Sequence, residues 1–152
     1  MIKRKTNRMN IILKKCARYY VPFGRIIVGA YFIMAGLPKL VNLGYTANMI
    51  ASAGLPLPEL LALATALLEL GAGIAILINR YATYAALLLA GFVLIVSVPF
   101  HGPALWDGSQ MGMMQQYTFM KNMALMGALL FMAAHLNVNS CPPPPPSRNF
   151  EE

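Results

Sequence analysis

Arg25, Lys39, Glu69, His101, Lys121 and Asn122 interrupt otherwise apolar stretches of the chain. An ionisable group in a hydrocarbon setting is costly and normally faces a bundle interior or a partner. These residues are therefore the candidates for chemistry, and their spacing is ordered. Arg25, Gly29, Phe32, Gly36 and Lys39 are separated by 4, 3, 4 and 3 residues, which keeps all five on one helical face. Glycines on such a face let a second helix approach closely. Thr65, Glu69 and Gly73 recur every four residues, and Lys121, Ala124 and Ala128 share one side with Asn122 next to it. Glu69 and Lys121 are the catalytic candidates, with Glu69 carrying a proton and an approach between the two expected. Lys39, Asn122, Arg25 and His101 are the substrate-binding candidates, with Lys39 and Lys121 holding negative charge and Asn122 donating a hydrogen bond. The competing role is structural: Glu69 pairs with Lys121, Lys39 or Arg25 and fixes helix register. Lysines near helix ends can also snorkel to the headgroups. Glu59 follows Pro58 in a first helical turn, where an acid suits the helix dipole.

The two cysteines, Cys16 and Cys141, flank the apolar region and form no Cys-x-x-Cys pair. That excludes a thiol oxidoreductase working through its own paired cysteines. No haem ligand pair or dinucleotide fingerprint is present either. Redox chemistry would have to use a bound cofactor, a quinone or a partner protein. Met111, Met113 and Met114 cluster after His101, and thioethers can bind Cu(I). The favoured reading is an interfacial loop helped by Trp106 and Tyr117, and no metal site is assigned. His135 is read as interfacial.

Elements that would position these groups follow from composition. Of 152 residues, 58% are hydrophobic and 11% charged, against about 25% charged in an ordinary soluble domain. Such a chain cannot coat a soluble surface. Four stretches reach the roughly 20 residues needed to cross the hydrocarbon layer: about 21–43, 58–78, 82–100 and 118–136. Breakers separate them, with Gly54, Pro56 and Pro58 in the first gap, Asn79 and Arg80 in the second, and Gly102, Pro103, Gly108 and Gly112 in the third. The fold class is all-α, a polytopic membrane protein built as a four-transmembrane-helix bundle. Residues 1–20 form a basic leader with an interfacial helix from about 10 to 20, residues 21–136 the membrane domain, and residues 137–152 a proline-rich tail.

Seven of the twelve Lys and Arg residues lie in the first eighteen positions, and Arg80 sits in the turn after the second span. Cations in short loops stay cytoplasmic, so both termini are expected in the cytoplasm. A topology signal beside anionic lipid explains the leader without nucleic acid. Lys39, His101, Glu59 and Lys121 then cluster at the outer side, around a pocket opening outward with Glu69 at its floor.

The chain resembles the DoxX family of small four-helix bacterial membrane proteins. The resemblance is carried by Gly24–Arg25, by Gly36–Leu37–Pro38–Lys39–Leu40 and by Ala53–Gly54–Leu55–Pro56. It continues through Glu69–Leu70–Gly71–Ala72–Gly73, His101, and the run from Phe119 to Gly127. It spans about residues 19–136 and matches at Arg25, Lys39, Glu69, Lys121 and Asn122. It implies a component of a quinone-linked or sulfur- or thiol-linked membrane redox system, as in the archaeal thiosulfate:quinone oxidoreductase that gave the family its name. Partners so implied are the lipid bilayer, a redox protein or a second copy. The alternatives are a non-catalytic assembly partner and a small transporter or metal-handling protein.

Overall fold

The structure is a computed structural model that describes the backbone of residues 2–101 and 108–138 and the side chains of residues 19–101 and 108–136. Five helices follow one another: α1 (Ile2–Val41), α2 (Leu43–Ser52), α3 (Pro58–Leu77), α4 (Ala82–His101) and α5 (Gln110–Val138). Four segments are long and apolar enough to cross a membrane: Tyr19–Val41, Pro58–Leu77, Ala82–His101 and Gln110–Leu136. No strand occurs among the described residues. The all-α, four-span architecture read from the sequence is the one observed.

Close-approach glycines join α1 to α3. A Cβ on Gly29 would lie 2.9 Å from the Gly73 carbonyl oxygen, and one on Gly73 would lie 2.9 Å from the Gly29 carbonyl oxygen. Further along, a Cβ on Gly36 would lie 3.0 Å from the Ala66 carbonyl oxygen. Without side chains at these points the two backbones touch, and each helix donates dispersion contacts that lipid cannot match. The pairing of 29 with 73 and of 36 with 66 makes α1 and α3 antiparallel. α5 packs along α4, α3 joins the two pairs, and α2 rests on α3. α1 has no extended packing against α4 or α5. The core between α3, α4 and α5 is built from small and branched side chains, including Ala72, Ile76, Ala86, Leu89 and Leu129.

Caps set the turns. Asn79 takes a left-handed conformation (φ 60°), its N–H donates to the Ile76 carbonyl, and the Arg80 N–H donates to the Ala75 carbonyl. That pattern is a Schellman cap with Asn in the left-handed position. Gly54 (φ 73°) closes α2 in the same way, with Gly54 N–H to Ala51 and Leu55 N–H to Ile50. The accompanying apolar contact is present, since Ile50 and Leu55 share a small core with Ala47 and Ala62. Pro58 then opens α3 at a position that has no helical acceptor for an N–H.

Three expectations change. The first span stops at Val41 rather than 43, and the linker expected from 44 to 57 contains α2. Asn42 breaks the helix (φ −126°, ψ 64°) and caps the new one by accepting from the Tyr45 N–H. The fourth span begins at Gln110 rather than 118, so Met111, Met113 and Met114 sit in the first turns of a helix and not in a loop. Ser109 supports that start, its hydroxyl accepting from the Gly112 N–H. In place of a separate interfacial helix near residues 10–20, α1 runs unbroken from Ile2 through Pro22. Trp106, Asp107, Cys141, the proline tail and the side chain of Cys16 lie outside the described residues.

Candidate functional site

α2, the C-terminal ends of α1 and α4, and the N-terminal ends of α3 and α5 meet at one end of the bundle. There α1 lacks extended packing on α4 and α5, and a cavity of about 910 Å³ is left. It reaches from Asn42 and His101 at the helix ends down to Tyr31, Phe32 and Val93. Tyr31 lies ten residues before Val41, which is about 15 Å of depth at 1.5 Å per residue.

One wall carries charge. The Lys39 ammonium contacts both carboxylate oxygens of Glu69, at 2.5 and 2.6 Å. The Glu69 side chain is 7% exposed and that of Lys39 34%. The glycine-mediated contact of α1 with α3 brings Lys39 within reach, and the carboxylate would be unbalanced in apolar surroundings without it. Thr65, one turn from Glu69, also lines the cavity, with its hydroxyl donating to the Ala62 carbonyl.

The opposite wall carries hydrogen bonds. The Asn122 amide on α5 donates to the Ser97 hydroxyl on α4 at 3.0 Å, and Ser97 donates to the Val93 carbonyl at 2.6 Å. His101 at the end of α4 meets Gln115 on α5, Nδ1 to Oε1, at 2.6 Å. With Nδ1–H donating to that oxygen, a neutral ring keeps Nε2 as a hydrogen-bond acceptor. Aromatic side chains fill much of the remaining lining. Tyr31 and Phe32 pack edge to face at 5.3 Å between centroids, with Phe92 and Phe100 contributed by α4.

Four of the six predicted residues thus line one space: Lys39, Glu69, Asn122 and His101. The other two do not. Lys121 is exposed, is not part of the lining and makes no ion pair with Glu69, which is held by Lys39 instead. Its neighbour Asn122 takes the inward direction, because consecutive helical residues diverge by about 100°. Arg25 lies on the expected face of α1 but far from the cavity, one turn beyond the Gly29–Gly73 crossing. Its Nε is buried and has no hydrogen-bond partner among the described residues. Glu59 is exposed at the start of α3. Sequence reasoning missed Ser97 and Gln115. Ser97 had a signal, being the lone hydroxyl in the apolar run from Ala85 to Phe100.

A family model described as DoxX matches residues 21–102. The chain belongs to the DoxX family. Two Escherichia coli K12 proteins are similar to this DoxX-family chain. Inner membrane protein YphA is 32% identical over 111 residues, covering 72% of this chain and 77% of YphA. Inner membrane protein YqjF is 32% identical over 124 residues, covering 80% of this chain and 87% of YqjF. No solved structure matches the chain significantly. The matched DoxX segment contains Arg25, Lys39, Glu69 and His101, whereas Lys121 and Asn122 lie beyond it.

Proposed function

We propose that this DoxX-family membrane protein is a quinone-binding component of a sulfur- or thiol-linked redox system in the bacterial inner membrane. In this reading both termini are cytoplasmic and the cavity faces outward. The observation that carries it is the cavity's composition: a long, largely apolar and aromatic space with one buried ion pair and few hydrogen-bonding groups. Ligand sites are of this kind, mostly apolar with a small number of placed polar groups.

The charge balance selects among ligands. Lys39 is already neutralised by Glu69, and Lys121 is outside the cavity. A small anion such as thiosulfate would have no free cation there, whereas an uncharged carbonyl headgroup needs only donors. A bound quinone would supply two-electron, two-proton acceptance, with the electrons coming from a partner protein. The chain's own groups have simpler work. Lys39 donates a hydrogen bond to a carbonyl oxygen, Glu69 holds or releases a proton, and His101 Nε2 accepts from a hydroxyl of the reduced headgroup. The apolar walls exclude bulk water. Inner-membrane residence is supported by the printed names of YphA and YqjF.

A second reading has its own observation. Both Glu69 oxygens are occupied by Lys39, as a pair that only fixes helix register would require. One series separates the two. Wild type, Glu69→Gln and Asn122→Leu are reconstituted in lipid nanodiscs, and binding of a tailed quinone and membrane accumulation are both measured. The redox reading expects wild type to bind and the variants to accumulate normally while binding falls. If wild type binds no quinone, the pair is a packing element of an assembly partner.

A further inference from the structure

Part of the cavity lining is itself exposed, well below the bundle end. Ile95 on α4 lines the cavity and is 71% exposed. Tyr31 on α1 and Tyr45 and Met49 on α2 likewise line it while being exposed. Ile95 sits six residues before His101, about 9 Å below the helix end, and Tyr31 about 15 Å below it at 1.5 Å per residue. Those depths fall within a hydrocarbon layer roughly 30 Å thick. The gap lies where α1 lacks extended packing on α4 and α5. α2 forms its upper rim: Asn42, Tyr45, Thr46, Met49 and Ile50 recur at helical spacing along the cavity.

We propose that the cavity is entered sideways from the bilayer and that its ligand is a long-tailed isoprenoid amphiphile. The polar head lies at the Lys39–Glu69 pair, and the tail leaves between Met49 and Tyr31 on one side and Ile95 on the other. This rests on the quinone reading for the head, while the tail route rests on the portal alone. Size supports it. At about 910 Å³ the space is near the upper end of ordinary ligand sites, roughly 300–1,000 Å³. A headgroup alone would leave much of it unfilled. Charge supports it too, since beyond the Lys39–Glu69 pair the lining carries no further Lys, Arg, Asp or Glu, and Tyr31, Met49 and Ile95 flank the route with apolar and aromatic surface.

The test uses the full chain in nanodiscs and three probes: a tailless benzoquinone, the same quinone with an isoprenoid tail, and an alcohol bearing that tail. Affinities are measured relative to partition into empty nanodiscs. The tailed quinone should bind at least about tenfold tighter than the tailless one, since each apolar group seated in a fitted pocket is worth that order. Ile95→Trp, which narrows the portal from a lipid-facing position, should lower the tailed-to-tailless ratio about tenfold, as overpacking does. Leu94→Trp, exposed on the same helix but outside the lining, should leave the ratio unchanged. Equal binding of the tailed and tailless quinones overturns the portal and leaves the quinone reading standing. Binding of the tailed alcohol as tightly as the tailed quinone, still lowered by Ile95→Trp, upholds the portal and removes the quinone head. Binding of none of the three overturns both.

Discussion

Replacing Lys39 should harm the protein more than replacing Glu69, although the two share one interaction. Glu69 lies eleven residues into α3, about 16 Å from its start and so near the middle of a roughly 30 Å layer. Its side chain is almost fully enclosed. Lys39 lies two residues from the end of α1, and a third of its side chain is exposed. In Glu69→Gln the freed ammonium can extend to the headgroups, and the amide still accepts a hydrogen bond, so the cost is about 1 kcal/mol. In Lys39→Met the carboxylate has no route out, and an unpaired charge at that depth costs about 3 kcal/mol. The double variant leaves no charge and should sit near Glu69→Gln, about 3 kcal/mol better than the sum of the singles. The assay is a double-mutant cycle on reversible unfolding in mixed micelles, with accumulation in native membranes alongside. If the singles are equal and the double is their sum within about 0.5 kcal/mol, Lys39 is a snorkelling residue and the pair does not form in lipid.

Three further outcomes follow from the packing. Gly73→Ala sets a methyl 2.9 Å from the Gly29 carbonyl oxygen and should cost about 1–3 kcal/mol. Gly71→Ala, which meets nothing within 4 Å, should be neutral or slightly stabilising in the same unfolding assay. Ser97→Ala removes the acceptor of the Asn122 amide and should cost about 1 kcal/mol, with part of that recovered on adding Asn122→Leu. Lys121→Met should change quinone affinity by less than about twofold in the nanodisc assay, because Lys121 is exposed outside the cavity.

The spans were legible because lipid imposes a length and a composition, and the sequence meets both four times. The face of α1 was legible as well, since Gly29, Gly36 and Lys39 recur at helical spacing and each meets α3 as that spacing implies. What escaped was local. The segment 43–52 carries Gly44 and precedes Gly54, Pro56 and Pro58, and its breakers mask a ten-residue helix started by the Asn42 cap and ended by Gly54. Lys121 was misplaced for a different reason. Charge draws the eye, but on a helix the neighbouring residue points elsewhere, and it is uncharged Asn122 that turns inward. Which lysine would meet Glu69 could not be read from either helix alone, because that depends on the crossing of α1 on α3 set by the paired glycines.

That crossing also bears on function. A cavity holding one free cation would favour anions, and one holding a free carboxylate would favour cations. Here the glycine contact brings the two charges together, so the space is close to neutral while keeping donors and acceptors in place. Transport of a metal ion or capture of thiosulfate would require the pair to separate, leaving Glu69 near the middle of the bilayer without its partner. An uncharged headgroup requires no such separation, because Lys39 can share one of its three N–H donors while remaining on Glu69. The arrangement therefore favours a ligand whose charge does not change on entry from lipid. A portal at hydrocarbon depth makes the same demand, since an ion would have to shed its water before reaching it.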